Sequence, residues 1–206
     1  MKYILYILIA LPYLANAQLQ RPSLFLREDF KKTPAQIPVS QDHIENKNLI
    51  ITLYGKGADS IKKSHHDKPD DDPFYVWSGL CKDTWAVTLK HKSKNVDLSK
   101  QAKIRWRSKQ SGFRQLHIIL NLADGTWLVS KESDSWSNDW RVKEFNLTDI
   151  QWLSLDIATI SEKNPVENPD LSKVVEIGWT DLMKGGGSEA CSRLDWIEVE
   201  GFSVNK

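Results

Sequence analysis

The chain is poor in cysteine, with two residues in 206, and carries almost no net charge, +1 at pH 7. After residue 20 no apolar run approaches the roughly 20 residues that a bilayer core requires, and no stretch keeps a helical apolar period for three turns. Two cysteines allow at most one internal bond. Charge balance excludes bulk electrostatic attraction to nucleic acid or to an anionic membrane surface. The missing helical period turns attention to strands.

The first seventeen residues form the exception to the polar texture. "MKYILYILIALPYLANA" has an early cation, Lys2, an apolar run from Tyr3 to Leu14, and Ala15-Asn16-Ala17, a small-x-small cleavage pattern. This predicts a signal peptide over 1–17, a single mature domain over 18–206, and export to the periplasm or the medium. No cysteine follows the cleavage site, which argues against a lipid anchor. Without Lys2 the basic residues equal the 27 acidic ones. In an oxidising compartment Cys81 and Cys191 are free to pair. The closed loop of about a hundred residues would stabilise by ~4 to 5 kcal/mol if unstrained. Two buried free thiols remain the alternative, because spacing does not establish proximity.

What the mature chain has in quantity is strand-length segments: "LFLREDF", "LIITLY", "WAVTLKH", "KIRWRSK", "FRQLHIILNL", "TWLVS", "WRVKEF", "IQWLSLDI", "VVEIGW" and "RLDWIEVEGF". Each is rich in β-branched or aromatic residues and bounded by turn residues such as Ala123-Asp124-Gly125 or Gly185-Gly186-Gly187. The pattern predicts an all-β antiparallel β-sandwich. An internal echo supports it, for "DLSKQAKIRW" at 97–106 and "DLSKVVEIGW" at 170–179 share a capped turn followed by Ile-x-Trp. A third Ile-x-Trp occurs at 150–152. Residues two apart on a strand face one way, so Ile104, Trp106, Ile150, Trp152, Ile177 and Trp179 should line the core.

The "DLSK" turn feeding a strand, the early "REDF" and the closing "RLDWIEVEG" resemble the jelly-roll, galactose-binding-like carbohydrate-active proteins. In that family a structural calcium often sits between the opening segment and the last strand. The resemblance therefore implies Glu28 or Asp29 with Asp195 as oxygen ligands. In overall texture the chain is also similar to small secreted β-sandwich proteins of bacterial polysaccharide-degradation systems, including the dehydratase acting on ulvan oligosaccharides. That second likeness raises the expectation of an enzyme and assigns no residue.

Alternation along "KIRWRSKQSGFRQLHIILNL" sends Ile104 and Trp106 one way and Lys103, Arg105, Arg107 and Lys109 the other. The short connection predicts a hairpin with the following strand. Its polar face would carry Arg105, Arg107, Gln115, His117 and Asn121. Alternating cations require acidic partners across the strands or an anionic ligand, and arginine's planar fork suits a carboxylate or sulfate. A solvated charged face is the bland account of the same residues.

Elimination across C4 and C5 of a uronic acid needs a cation or donor at the carboxylate, a base for the C5 proton and an acid for the leaving oxygen. "KSHHDKPDDDPFYVWSG" at 63–79 supplies His65, His66 and Tyr75, with Trp77 on the same side as Tyr75 as a substrate wall. With His117, these are the candidate catalytic groups. The chemistry requires no cofactor, and the partner implied is an acidic oligosaccharide or polysaccharide. Adjacent histidines point apart on extended backbone, so "HHDKPDDD" makes a poor transition-metal site. Asp134, Asp139, Glu144 and Glu176 offer acids for glycoside hydrolysis, but no spacing selects a pair. A noncatalytic carbohydrate-binding module, supported by nine tryptophans, is the competing reading.

Overall fold

The computed structural model describes residues 20–69, 72–184 and 190–206. The expected signal peptide and the glycine run at 185–187 lie outside them. Fourteen strands follow in order: β1 (Ser23–Glu28), β2 (Leu49–Tyr54), β3 (Lys62–Ser64), β4 (Tyr75–Trp77), β5 (Ala86–His91), β6 (Lys94–Asp97) and β7 (Lys103–Gln110). Then come β8 (Leu116–Leu122), β9 (Trp127–Asp134), β10 (Arg141–Asn146), β11 (Trp152–Asp156), β12 (Ser161–Val166), β13 (Val174–Thr180) and β14 (Ser192–Asn205). Every registered pair is antiparallel, giving the expected β-sandwich of jelly-roll type.

One layer runs β10, β7, β14, and the far edge of β14 then takes both β1 and β4, with β3 outside β4. The other runs β2, β5, β13, β8, β9, β11, β12. The end of β14 leaves the first layer to pair β6 in the second. Gly201 sits at that crossing. A Cβ there would lie 2.5 Å from the Val96 side chain, so the crossing requires glycine.

The Ile-x-Trp pairs behave as alternation demands. Ile104, Trp106, Trp152, Ile177 and Trp179 are buried in the central core, and Ile150 packs against it. The two Asp-Leu-Ser-Lys turns meet. Leu98 N donates to Leu171 O at 2.9 Å, while Asp97 and Asp170 each accept the main-chain N–H two residues on.

The predicted hairpin between β7 and β8 does not form. β7 pairs with β10 and β14, and β8 pairs with β13 and β9, so the connection crosses from one layer to the other. Each strand has one apolar face, and both bury it by stacking across the core, Ile104 and Trp106 above and Leu116, Ile118 and Leu120 below. Ile119, which interrupts the alternation, belongs to a second small cluster with Ala86, Val129, Leu155 and Ile160 on the other side of its sheet.

A buried carboxylate ties the layers together. Asp134, at the end of β9, accepts Trp106 Nε1 at 3.0 Å and Arg141 Nε at 3.0 Å, and also the hydroxyl of Ser108. Its side chain is inaccessible to solvent, so it holds the structure together and offers no acid for hydrolysis. Replacing it strands several donors inside the protein. Asp134→Ala is expected to lower stability by about 3 to 5 kcal/mol, read from the urea unfolding midpoint.

Candidate functional site

The edge of β14 that receives β1 and β4 is not continuous. β4 pairs Leu194 and β1 begins at Ile197, so Asp195 and Trp196 face that edge without a strand partner. On the opposite edge the register against β7 shifts between Leu194 and Trp196, a bulge that turns these residues out of line. The break opens a cavity of about 930 Å³ lined by Asp29, Phe30, Lys32, Glu45, His65, Asp72, Pro73, Phe74, Arg107, Asp195 and Trp196. Phe30, at the exit of β1, holds a left-handed φ of 54°. Such strain in a non-glycine residue clusters at functional sites.

His65, Asp72, Pro73 and Phe74 of the 63–79 segment line this cavity, and the adjacent histidines take different positions. His65 turns into the cavity and stacks on Phe74, ring centroids 3.9 Å apart at 11°. His66 stands at the rim, its side chain 64% exposed. Asp72 orients it, with Oδ2 accepting the His66 main-chain N–H at 2.8 Å and lying 3.1 Å from its Nδ1. A bare Nδ1 would face that carboxylate with a lone pair, so the tautomer that fits carries its proton on Nδ1 and leaves Nε2 as the base. The Tyr75 hydroxyl also lies 3.1 Å from Nδ1, and its ring packs edge-on against Trp140 at 5.2 Å. Tyr75 is only 2% exposed and burial raises its pKa, so it positions His66 and does not reach a substrate. Arg107 lies over Trp140, 5.5 Å from the ring centroid, which connects rim to cavity.

Beneath this wall lies a residue that sequence reading missed. Lys63 pairs with Val76 across β3 and β4, and Val76 belongs to the core, so Lys63 points inward as well. It is fully buried, and Nζ sits 4.6 Å from the Phe74 ring centre with no hydrogen-bond partner among the described residues. Burial pushes its pKa down to about 8, opposed by the charge of Asp195. In "IKKSHH" nothing distinguishes Lys63 from Lys62; only the β3–β4 register does.

The other expected residues disperse. Arg105 and Arg107 share the outer face of the first layer, but acids from β14 answer them: Arg105 bonds Glu200 at 3.1 Å and Glu198 at 2.8 Å, and Arg107 bonds Asp195 at 2.8 Å. Arg105 is thereby spent in the sheet and does not line the cavity. Gln115, His117 and Asn121 lie in or beside β8, in the other layer, because the hairpin does not form. Gln115 accepts the Ser133 hydroxyl at 2.8 Å, and His117 Nδ1 meets Ser130 O at 2.8 Å. Burial lowers the His117 pKa. Asn121 joins Tyr54 and Thr88 around Glu176. Trp77 does face the side of Tyr75, but Gly79 packs on its indole and Lys62 lies over the ring, so it offers no open stacking surface.

The residues expected as calcium ligands are engaged by other partners. Glu28 directs its carboxylate at the main-chain N–H groups of Phe30, Glu45 and Asn46, at 2.8, 2.8 and 3.0 Å. Asp29 pairs with Arg27 and Asp195 with Arg107. Carboxylates ringed by N–H donors and cations are poorly placed to coordinate a further cation. Among the described residues no cluster of three or more His, Cys, Asp or Glu could hold a metal. Cys81 and Cys191 are buried free thiols, and Cys191 Sγ lies 3.3 Å from the Ser111 hydroxyl. No helix among the described residues is long and apolar enough to cross a membrane.

No protein-family model and no curated protein matches the chain. Solved structures resemble it in architecture. The family 11 carbohydrate-binding module of a cellulosomal cellulase of Clostridium thermocellum superposes with a TM-score of 0.45 at 12% identity, covering 84% of this chain and 97% of the module. A family 32 carbohydrate-binding module from C. perfringens, solved with galactose, gives 0.37 at 13% identity, covering 74% and 93%. A conserved carbohydrate esterase from the Shiga toxin-encoding bacteriophage phi24B gives 0.40 at 13%, covering 86% and 100%.

Lys63 gives the site a pH signature. Its ammonium discharges near pH 8 in the fold against an ordinary value of 10.5, so between these values the folded state binds fewer protons than the unfolded chain. Stability due to Lys63 therefore rises with pH through that window. The unfolding free energy of the native protein minus that of Lys63→Met is expected to climb by up to about 3 kcal/mol from pH 8 to 10.5. A flat difference in chemical denaturation would mean that the amine is solvated.

Proposed function

We propose that the break in the β14 edge is a saccharide site, and that the protein is an exported carbohydrate-active enzyme eliminating water or a sugar from uronic-acid-containing oligosaccharides. The observation that carries this is the Asp72–His66 pair, an exposed imidazole held in one orientation beside an aromatic-walled cavity. His66 Nε2 takes the C5 proton. The electron pair of the C–H bond becomes the new C4–C5 double bond, and the bond to the C4 oxygen breaks. The imidazolium then returns its proton to the leaving oxygen, so one residue serves as base and acid. The developing negative charge at the carboxylate needs a cation nearby. Lys32 and Arg107 line the cavity, and Lys63 lies behind Phe74.

A noncatalytic binding module is the second reading, favoured by one observation. Arg107 already shares its charge with Asp195, so the arginine first expected to polarise the substrate is largely neutralised. Export rests on the sequence of residues 1–17 alone.

The experiment is incubation with saturated uronic-acid oligosaccharides, following the ultraviolet absorbance of the 4,5-unsaturated product and its mass. Turnover is expected, and His66→Ala should reduce it at least a hundredfold, the scale of a lost general base, with unchanged circular dichroism. Binding without turnover on water-losing and sugar-losing substrates alike would leave the binding module as the function.

A further inference from the structure

We infer that Lys63 Nζ and His65 Nδ1 form an oxyanion seat beneath Phe74, which receives the carboxylate or sulfate of the saccharide occupying the cavity. The inference rests on the proposed reading of that cavity as a saccharide site. It also relocates substrate charge from the arginine strand to the floor of the break.

Three observations converge on this seat. Both atoms are buried and neither has a hydrogen-bond partner among the described residues. For His65 the nearest carboxylate, Asp72 Oδ2, lies 3.9 Å away, too far to bond. Buried polar atoms are normally satisfied, and an unpartnered buried ammonium is among the costliest exceptions. The two residues are also two apart along one extended segment, so their side chains share a side. Finally, both lie against a single ring: Lys63 Nζ is 4.6 Å from the Phe74 centroid, and His65 stacks on it at 3.9 Å.

Phe74 itself lines the cavity and precedes the first ladder residue of β4. Its side chain can therefore rotate without breaking the sheet. In the free protein the π face of the ring partly satisfies the ammonium. Once the ring turns aside, an ammonium and an imidazole N–H face the space it leaves, one for each of two oxygens of a single anionic group. A neutral hydroxyl would leave the cation uncompensated, so the seat selects for charge. Asp195 does not compete for the place. Its carboxylate acts on Lys63 only at longer range and is bonded to Arg107.

Calorimetric titration of the full-length protein tests this with glucuronate, glucose and inorganic sulfate. Glucuronate and sulfate should bind at least tenfold more tightly than glucose, and their ratio shows which oxyanion the seat prefers. Lys63→Met removes a buried charge and keeps the volume, so the variant should stay folded and lose at least tenfold in affinity for both anions. Phe74→Ala, with the ring gone, should bind sulfate severalfold more tightly than the native protein. If Lys63→Met fails to fold, His65→Ala and Phe74→Ala carry the test alone, through a fall and a rise in sulfate affinity. Native affinity for glucuronate in Lys63→Met, or no anion binding by native protein and Phe74→Ala alike, overturns the seat. Sulfate cannot undergo elimination, so its binding reports the seat separately from catalysis. Anion binding without turnover would keep the seat and discard the elimination, whereas native turnover in Lys63→Met would do the reverse.

Discussion

Most of what is distinctive in this molecule depends on one strand having to satisfy too many neighbours. β14 serves both layers, and along its outer edge in the first layer it pairs in succession with β4 and β1. Both run antiparallel to β14, so β1 ends where β4 begins, and the loop leaving one and the loop entering the other must both depart from the edge between them. The edge is therefore interrupted, at Asp195 and Trp196, and the interruption coincides with the register shift against β7. The loop leaving β1 is fixed beside the break by Glu28, whose two oxygens collect three main-chain N–H groups that would otherwise be unsatisfied. Cavity position, the strained Phe30 and the approach of Phe74 follow from that arrangement.

The same strand decides what the arginines do. β14 places Glu198 opposite Arg105 and Glu200 one pair further along, within reach of the same guanidinium, and the bulge brings Asp195 to Arg107. Lys103 is answered by Glu144 from β10. Each pair is partly solvated and contributes little by itself, roughly 1 kcal/mol or less, but together they neutralise a face that the β7 sequence alone makes cationic. Charge available for a ligand has to come from elsewhere, and Lys63, on the inward side of the neighbouring strand pair, has no hydrogen-bond partner among the described residues.

Local alternation made the architecture legible. Ile104 with Trp106 and Ile177 with Trp179 lie in the core because period two admits no other placement once one face is buried. What could not be read was which strands lie side by side. The segment 103–122 has hairpin spacing, yet its two apolar faces gain more by stacking across the core, a choice set by the remaining strands. That single topological difference separates Arg107 from His117 and Asn121, and dissolves the polar face expected of them. β12 was missed for a different reason: "SEKNPV" is an exposed edge strand with a proline and no apolar alternation. Within the site, His65, His66 and Tyr75 were legible as types in one short segment. Asp72 and Lys63 were not, since one acid in an acidic loop and one lysine of a pair carry no local mark.

The adjacent histidines show how that segment serves two purposes. On extended backbone successive side chains point to opposite sides, so His65 enters the cavity against Phe74 while His66 stays at the rim beside Asp72 and Tyr75. Asp72 Oδ2 nevertheless lies 3.9 Å from His65 Nδ1 and 3.1 Å from His66 Nδ1, which keeps the proposed anion seat and the proposed base close to one another. Elimination from a uronic acid asks for that proximity, because the carboxylate to be held and the proton to be removed belong to neighbouring carbons.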